Sequence, residues 1–194
     1  MLKLGIIIKV ENRKINALHK EISTQPIINK FHISIYTWES KEKLTEIKKN
    51  LKKLAENFNV FNIYVDNLAF TDYYTTQLKV LYSKELFNLH YKVIEEMSKF
   101  LDKKAFSKPK QFYNTFSKKE QNLIDLYGRP NVMENFKPHI TIDKISKERF
   151  EEIKISFENF KIKFKIEVKE ISLIEIKEES YKILSKVKFT NIIF

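Results

Sequence analysis

Hydrophobic and polar residues alternate along several short segments of this chain, and along other segments hydrophobic residues recur every third or fourth position. Strict alternation predicts strands with one buried face, and the longer spacing predicts amphipathic helices. The predicted strands cover residues 4–10, 31–38, 61–68, 76–82 and 138–143, and further strands lie in 162–176 and 181–189. The predicted helices cover residues 13–22, 84–101 and 117–127, and one more helix follows each of Ser40 and Ser146. This mixture predicts an α+β protein.

The order of these predicted elements repeats along the chain. A strand, a helix and a strand pair begin near residue 31, and the same order begins again near residue 138. Ser40 and Ser146 lie at matching places in the two copies, and both are candidate N-caps. We interpret the pattern as a degenerate duplication in which each half of the chain forms one lobe, with the irregular segment 102–137 between the lobes. The predicted fold therefore has two pseudo-symmetric lobes, antiparallel sheets that line a central cleft, helices outside, and a single bilobal domain over residues 1–194.

The strongest chemical signal is a tetrapeptide that occurs twice. Residues 32–35 read His-Ile-Ser-Ile, and residues 139–142 read His-Ile-Thr-Ile. Because side chains alternate along a strand, the histidine and the hydroxyl residue of each copy share one face, and the two isoleucines take the other face. If the two strands come together, two imidazoles and two hydroxyls will face one substrate.

Composition limits the classes of protein that the chain can belong to. It carries 36 basic and 25 acidic residues, a formal net charge of +11, which favours acidic partners such as RNA or small nucleotides. AT-rich coding also produces a lysine-rich, glycine-poor chain, so the charge alone leaves both origins open. The chain has no cysteine, which excludes disulfides and thiolate metal sites. No apolar run is long enough for a signal peptide or a membrane span, so we expect a cytoplasmic protein with no membrane partner. We also expect a monomer.

Two histidines that face a phosphodiester can act as general base and general acid, because histidine titrates near neutral pH. One of His32 and His139 would take a proton from a 2'-hydroxyl or a water, and the other would protonate the departing oxygen. The hydroxyls of Ser34 and Thr141 would donate hydrogen bonds to the non-bridging phosphoryl oxygens. This scheme needs no metal and no other cofactor. A metal site built from the two histidines and Asp143 is an alternative, although no metal-ligand spacing supports it.

Two other residues are weaker candidates for a role in the site. By strand parity Tyr36 shares the face of His32, so it is a candidate to stack on a base or to bind the phosphate, with a core or rim tyrosine as the alternative. Arg129 is one of only three arginines and precedes the second motif, which makes it a candidate phosphate ligand. His19 and His90 lie in predicted helices, and we interpret both as structural.

The two motifs resemble those of the 2H phosphoesterase superfamily, which is named for two His-x-Ser/Thr motifs on symmetric lobes. The superfamily includes the bacterial 2',5'-RNA ligase-like cyclic phosphodiesterases. The resemblance covers most of the chain: it takes in residues 31–35, residues 136–142 and the closing strand pair that begins near residue 168 and continues at Tyr181.

The resemblance implies a function. By motif, His32 and His139 would be the catalytic residues, and Ser34 and Thr141 would bind the phosphate. The enzyme would cleave 2',3'-cyclic phosphates, 2',5' linkages or related cyclic nucleotides without a metal. Two alternatives stay open from the sequence: a hydrolase of cyclic oligonucleotide signals, and a non-catalytic RNA-binding module that keeps the fold.

Overall fold

The structure is a computed structural model, and it describes residues 1–23, 25–26, 31–103, 110–178 and 180–190. The strands in these residues are β1 (Leu2–Lys9), β2 (His32–Ser40), β3 (Phe61–Phe70), β4 (Thr75–Val80), β5 (His139–Lys144), β6 (Lys163–Val168), β7 (Glu170–Lys177) and β8 (Ser180–Lys188). The helices are α1 (Arg13–Ile22), α2 (Leu44–Ala55), α3 (Lys84–Met97), α4 (Lys110–Tyr113), α5 (Lys118–Tyr127) and α6 (Lys147–Ser156). Every strand and helix that the hydrophobic pattern predicted is present.

The strands form two four-stranded sheets in which each pair of neighbours is antiparallel. The first sheet has the order β2-β1-β7-β8, and the second has the order β5-β4-β3-β6. The predicted α+β fold of two pseudo-symmetric lobes is confirmed. In each sheet, the strand that begins with a motif histidine lies at an edge: His32 begins β2, and His139 begins β5.

We expected each half of the chain to form one lobe, but each lobe contains strands from both halves. The hairpin β3-β4 follows the first motif strand, yet β4 pairs with β5. The hairpin β7-β8 follows the second motif strand, yet β7 pairs with β1 beside β2. The chain passes from one sheet to the other at Lys169, between β6 and β7. The expectation was wrong because alternation specifies which face of a strand is buried but not which strand it pairs with.

The helices cover one face of each sheet. In the first sheet α3 packs on β2, and α2 packs on β7 and β8; α1 packs on β5 of the second sheet. Leu51 of α2 and Val93 of α3, both on the hydrophobic face of their helix, are fully buried. Burial of each such side chain contributes about 1.5–3 kcal/mol. The isoleucine face of β2, with Ile33 and Ile35, belongs to the same hydrophobic core, so the histidine face points the other way.

Serine caps were predicted at two helices, and one prediction was wrong. The Oγ of Ser146 accepts a hydrogen bond from the Arg149 amide and caps α6, as predicted. Ser40 is instead the last residue of β2, where it pairs with Leu2 and is fully buried. The strand continues past Trp38 because β1 extends far enough to pair with it, so α2 begins only at Leu44.

The segment between the two predicted lobes contains the helix expected near its middle. Ser117 and Glu120 form a capping box at the start of α5, and Gly128 ends the helix with a φ of 77°. Glycine suits this position because L-residues with a side chain rarely adopt the left-handed region. Residues 104–109 of this segment lie outside the described residues. In the described part of the chain, no helix has the length and apolar character needed to cross a membrane.

Candidate active site

The two motif strands lie side by side, because β2 and β5 are edge strands that contact each other across the two sheets. On both strands the motif alternates as predicted. Ser34 and Thr141 are exposed, His32 and His139 are half-buried, and the isoleucines between them are fully buried. The fold therefore presents two imidazoles and two hydroxyls on exposed faces of neighbouring strands.

The two motifs also share a backbone irregularity. Ser34 pairs with Ile7 on β1, and Thr141 pairs with Gln77 on β4. In each motif strand the next residue has no cross-strand partner, so the strand contains a β-bulge and the register shifts by one position immediately after it. Bulges of this kind re-aim side chains and occur often beside active sites. Their matching positions support the interpretation of the two motifs as copies of one ancestral element.

The bulge overturns the placement of Tyr36. We expected this side chain on the face of His32 and Ser34, but the extra residue Ile35 reverses the alternation. Tyr36 is 2% exposed, stacks on Trp38 with ring centroids 5.3 Å apart, and donates from its hydroxyl to the Tyr127 carbonyl oxygen at 2.8 Å. Burial raises the pKa of this phenol. Tyr36 is therefore a core residue, and we do not include it among the substrate contacts.

Arg129 lies against the first motif strand. Its Nε donates a hydrogen bond to the Thr37 carbonyl oxygen at 3.2 Å, and the residue is half-buried. This bond uses one of the five N–H donors of a guanidinium, so the group retains capacity to bind an anion. The role of Arg129 as a phosphate ligand stays a prediction.

A buried histidine joins the two motif regions. His90 of α3 is fully buried, and its Nδ1 lies 2.8 Å from the Ile35 carbonyl oxygen. The Met133 amide donates to His90 Nε2 at 2.9 Å, and Phe136 stacks on the ring with centroids 3.8 Å apart. Because a carbonyl oxygen can only accept, Nδ1 carries the proton and the ring is neutral. Burial lowers the pKa of His90 to about 4, which maintains that neutral state. The structural interpretation of His90 is confirmed.

Each motif histidine has a different immediate neighbour. The Nδ1 of His139 lies 2.9 Å from the Lys137 carbonyl oxygen and must donate to it, which assigns the proton of the neutral ring to Nδ1 and the lone pair to Nε2. The ring of His32 contacts the ring of Tyr181 on β8 edge-on, with centroids 5.3 Å apart. Tyr181 had not been a site candidate, because no spacing in the sequence connects a residue of the last strand to the first motif.

The described residues contain no group of three or more histidine, aspartate or glutamate side chains that could hold a metal ion. The grouping of His32, His139 and Asp143 that was open as a metal site is therefore not assembled in this part of the chain. Asp143 instead accepts a hydrogen bond from the Lys144 amide through Oδ1. The chemistry available from the site is that of imidazole, hydroxyl and cationic side chains.

The chain shares its α+β fold with several solved structures, among them a phosphoesterase and Escherichia coli LigT. The structure of TT0787 from Thermus thermophilus is similar over 98% of this chain and 100% of that one, with 14% identity and a TM-score of 0.64. The structure of a phosphoesterase covers the same shares at 13% identity and a TM-score of 0.53. Escherichia coli LigT complexed with NADP+ covers 98% of each chain at 14% identity and a TM-score of 0.53. No protein-family model and no curated protein matches the chain by sequence.

Proposed function

We propose that this protein is a phosphodiesterase that cleaves RNA ends or small nucleotides by general acid/base catalysis with His32 and His139. The single observation that carries the proposal is that two His-x-Ser/Thr strands with bulges at matching positions contact each other where the two sheets meet. A lone half-buried histidine is usually a structural residue. Two half-buried histidines in equivalent positions, each followed by an exposed hydroxyl residue on the same face, are better explained by a shared chemical task.

The histidines supply the proton transfers. One imidazole accepts the proton of a 2'-hydroxyl or a water as that oxygen attacks phosphorus, and the other donates a proton to the oxygen that leaves. The hydrogen bond from His139 Nδ1 to Lys137 leaves Nε2 as the nitrogen that exchanges a proton with substrate. Each such transfer contributes about 10²–10⁴ in rate. The proton taken at one histidine and the proton given by the other balance over the reaction.

The hydroxyls and the guanidinium stabilise charge on the phosphoryl group. Ser34 and Thr141 lie two residues beyond the histidines on the same exposed faces, where each can donate a hydrogen bond to a non-bridging oxygen. Arg129 is the proposed cationic ligand, held beside the first motif by its bond to Thr37. These donors meet the electrostatic demand of the reaction, so the mechanism that we propose has no metal and no other cofactor.

The proposed substrates are nucleotides. Structures with this fold include Escherichia coli LigT complexed with NADP+, with 3'-AMP and with ATP, so a protein of this fold accepts nucleotides of several kinds. The net charge of +11 agrees with an anionic substrate. Within this class we favour a 2',3'-cyclic phosphate or a 2',5' linkage as the bond that is cleaved. We also propose that the protein is cytoplasmic and acts as a monomer.

A panel of substrates tests the proposal directly. Purified protein is incubated with 2',3'-cyclic, 2',5'-linked, 3',5'-linked and cyclic oligonucleotide substrates, and the products are resolved by chromatography. We expect cleavage of the first or the second class. Protein with both His32→Ala and His139→Ala, prepared in the same way, is the control for a contaminating nuclease.

The other outcomes contradict the proposal in different ways. Cleavage of cyclic oligonucleotides alone would identify a hydrolase of nucleotide signals. RNA binding without cleavage of any substrate would identify a non-catalytic RNA-binding module.

A further inference from the structure

Two lysines lie beside the motif histidines in corresponding positions. On β1, Lys9 is the cross-strand partner of His32, and on β4, Lys79 is the cross-strand partner of His139. Directly opposed residues of antiparallel strands place their side chains on the same face, with Cβ atoms about 4.5–5.5 Å apart. A lysine therefore flanks each histidine on the same face of its sheet.

The strand order places these lysines on opposite outer sides of the site. The edge strands β2 and β5 contact each other, and β1 and β4 lie behind them. Across the site the strand order is β1, β2, β5 and β4, with about 4.8 Å between each lysine strand and its histidine strand. A phosphodiester held between the two histidines would have one lysine beyond each of its ends.

Acidic side chains lie beside both lysines. Glu11 forms an ion pair with Lys9 at 2.6 Å, in which the side chain of Lys9 is 15% exposed and that of Glu11 is 67% exposed, so Glu11 is the partner that a phosphate beside Lys9 would replace. Asp66 is the other cross-strand neighbour of Lys79, and on its far side it pairs with Lys163, whose Nζ lies 3.7 Å from Oδ1. Two lysines thus flank one carboxylate in the second sheet, which leaves a net positive row next to His139.

We propose that Lys9 and Lys79 bind the phosphate groups that flank the scissile phosphodiester, one on each side. The inference rests on the proposed function and narrows its substrate to a 2',5' linkage within a chain, because a 2',3'-cyclic phosphate ends the chain and can have a flanking phosphate on one side only. The site takes a nucleotide chain with a phosphate on both sides of the cleaved linkage in preference to a nucleotide without them. A lysine ammonium on its flexible stem suits flanking phosphates, whose position varies, while the hydroxyls of Ser34 and Thr141 serve the scissile group.

The test uses two substrates that share one scissile linkage, a 2',5' phosphodiester. The first, the unflanked dinucleotide, has the internal phosphate as its only phosphate. The second, the flanked dinucleotide, is the same molecule with added 5' and 3' phosphates. We measure kcat/KM for wild type, Lys9→Met and Lys79→Met. Methionine keeps the length of the side chain and removes its charge. Lys52→Met, at an exposed position of α2, is the matched control.

We expect the lysine variants to affect only the flanked substrate. Each should lower kcat/KM on that substrate about tenfold, the size of one charge-assisted hydrogen bond, and change the value on the unflanked dinucleotide by less than about twofold. Lys52→Met should change neither. Equal losses on both substrates would mean that the lysines act at the scissile phosphate or in the fold, and would overturn the proposal. Full activity of both variants on the flanked substrate would overturn it as well.

A binding measurement separates this proposal from the proposed function. Both dinucleotides are titrated by calorimetry into protein with His32→Ala and His139→Ala, with and without Lys79→Met. The flanked dinucleotide should bind more tightly than the unflanked one, and Lys79→Met should abolish this difference in affinity. That result supports the proposal even if wild type cleaves neither dinucleotide. Equal affinity for the two dinucleotides contradicts it, even if wild type cleaves both.

Discussion

His90 donates a hydrogen bond from Nδ1 to the carbonyl oxygen of Ile35, the extra residue in the bulge of the first motif strand. Its other ring nitrogen accepts from the Met133 amide, on the segment that leads to the second motif. A single neutral imidazole therefore links the bulge of the first motif to the segment that precedes the second motif, and it does so from the buried side of the sheet.

This relationship predicts a loss of stability in acid. The pKa of His90 is about 4 in the folded protein and about 6.5 in an unfolded chain, so the unfolded state binds the proton first as the pH falls. The stability that the neutral ring contributes is present above pH 6.5 and is lost between pH 6.5 and pH 4. The expected loss is about 3 kcal/mol, read from urea midpoints across that range.

His90→Gln is the control for this effect, because an amide can replace the hydrogen bonds but does not titrate. Its free energy of unfolding should be lower than that of wild type at neutral pH and should change less between neutral pH and the acidic limit. A parallel decline of the two proteins would show that other groups cause the acid sensitivity.

Tyr36→Phe tests the reassignment of Tyr36 to the core. The variant loses the hydrogen bond to the Tyr127 carbonyl oxygen, so the free energy of unfolding should fall by about 1 kcal/mol. The KM for substrate should stay within about twofold of wild type, because the side chain lies on the buried side of β2. A large rise in KM with unchanged stability would return Tyr36 to the substrate site.

Arg129→Ala should weaken catalysis without a general loss of RNA binding. If the guanidinium binds the phosphate, kcat/KM should fall by about tenfold. Lys48→Ala and Lys52→Ala on α2 should change it by less than about twofold. The dependence of KM on salt should be shallow, because a small substrate releases few counterions. Kinetics of the three variants at two salt concentrations provide the measurement, and equal losses in all three would indicate diffuse binding of long RNA.

The acid/base mechanism predicts a characteristic dependence on pH and on chelators. One histidine must be neutral and the other protonated, so turnover should fall on both sides of an optimum. Activity should survive dialysis against EDTA, since hydroxyl and imidazolium donors carry the charge stabilisation. Loss of activity with chelator, followed by recovery with zinc or manganese, would rule this mechanism out.

Much of the fold could be predicted from the sequence because hydrophobic periodicity specifies elements and their buried faces. The positions of α1 and α5 and the buried isoleucines of both motifs were predicted correctly. The partners of the strands were not, because pairing depends on long-range topology. The hairpin that follows each motif strand joins the sheet of the other motif strand. The strand β1, which precedes both copies, completes the first sheet.

The site was predictable where it depends on one strand and unpredictable where it depends on two. His32 and His139 follow from a motif within each strand. The burial of Tyr36 depends on a bulge, and a one-residue shift reverses every side chain after it. The positions of Lys9 and Lys79 beside the histidines follow from cross-strand register, which no local pattern reveals.

The most direct test of the account is the turnover of His32→Ala, His139→Ala and the double variant, on the substrate that wild type cleaves best. Each single variant should lose about 10²–10⁴ in kcat while its circular dichroism spectrum and urea midpoint stay near those of wild type. The double variant should be little worse than either single one, because the two histidines act as a unit. Near wild-type turnover in either single variant would contradict the central claim that this pair of histidines performs the chemistry.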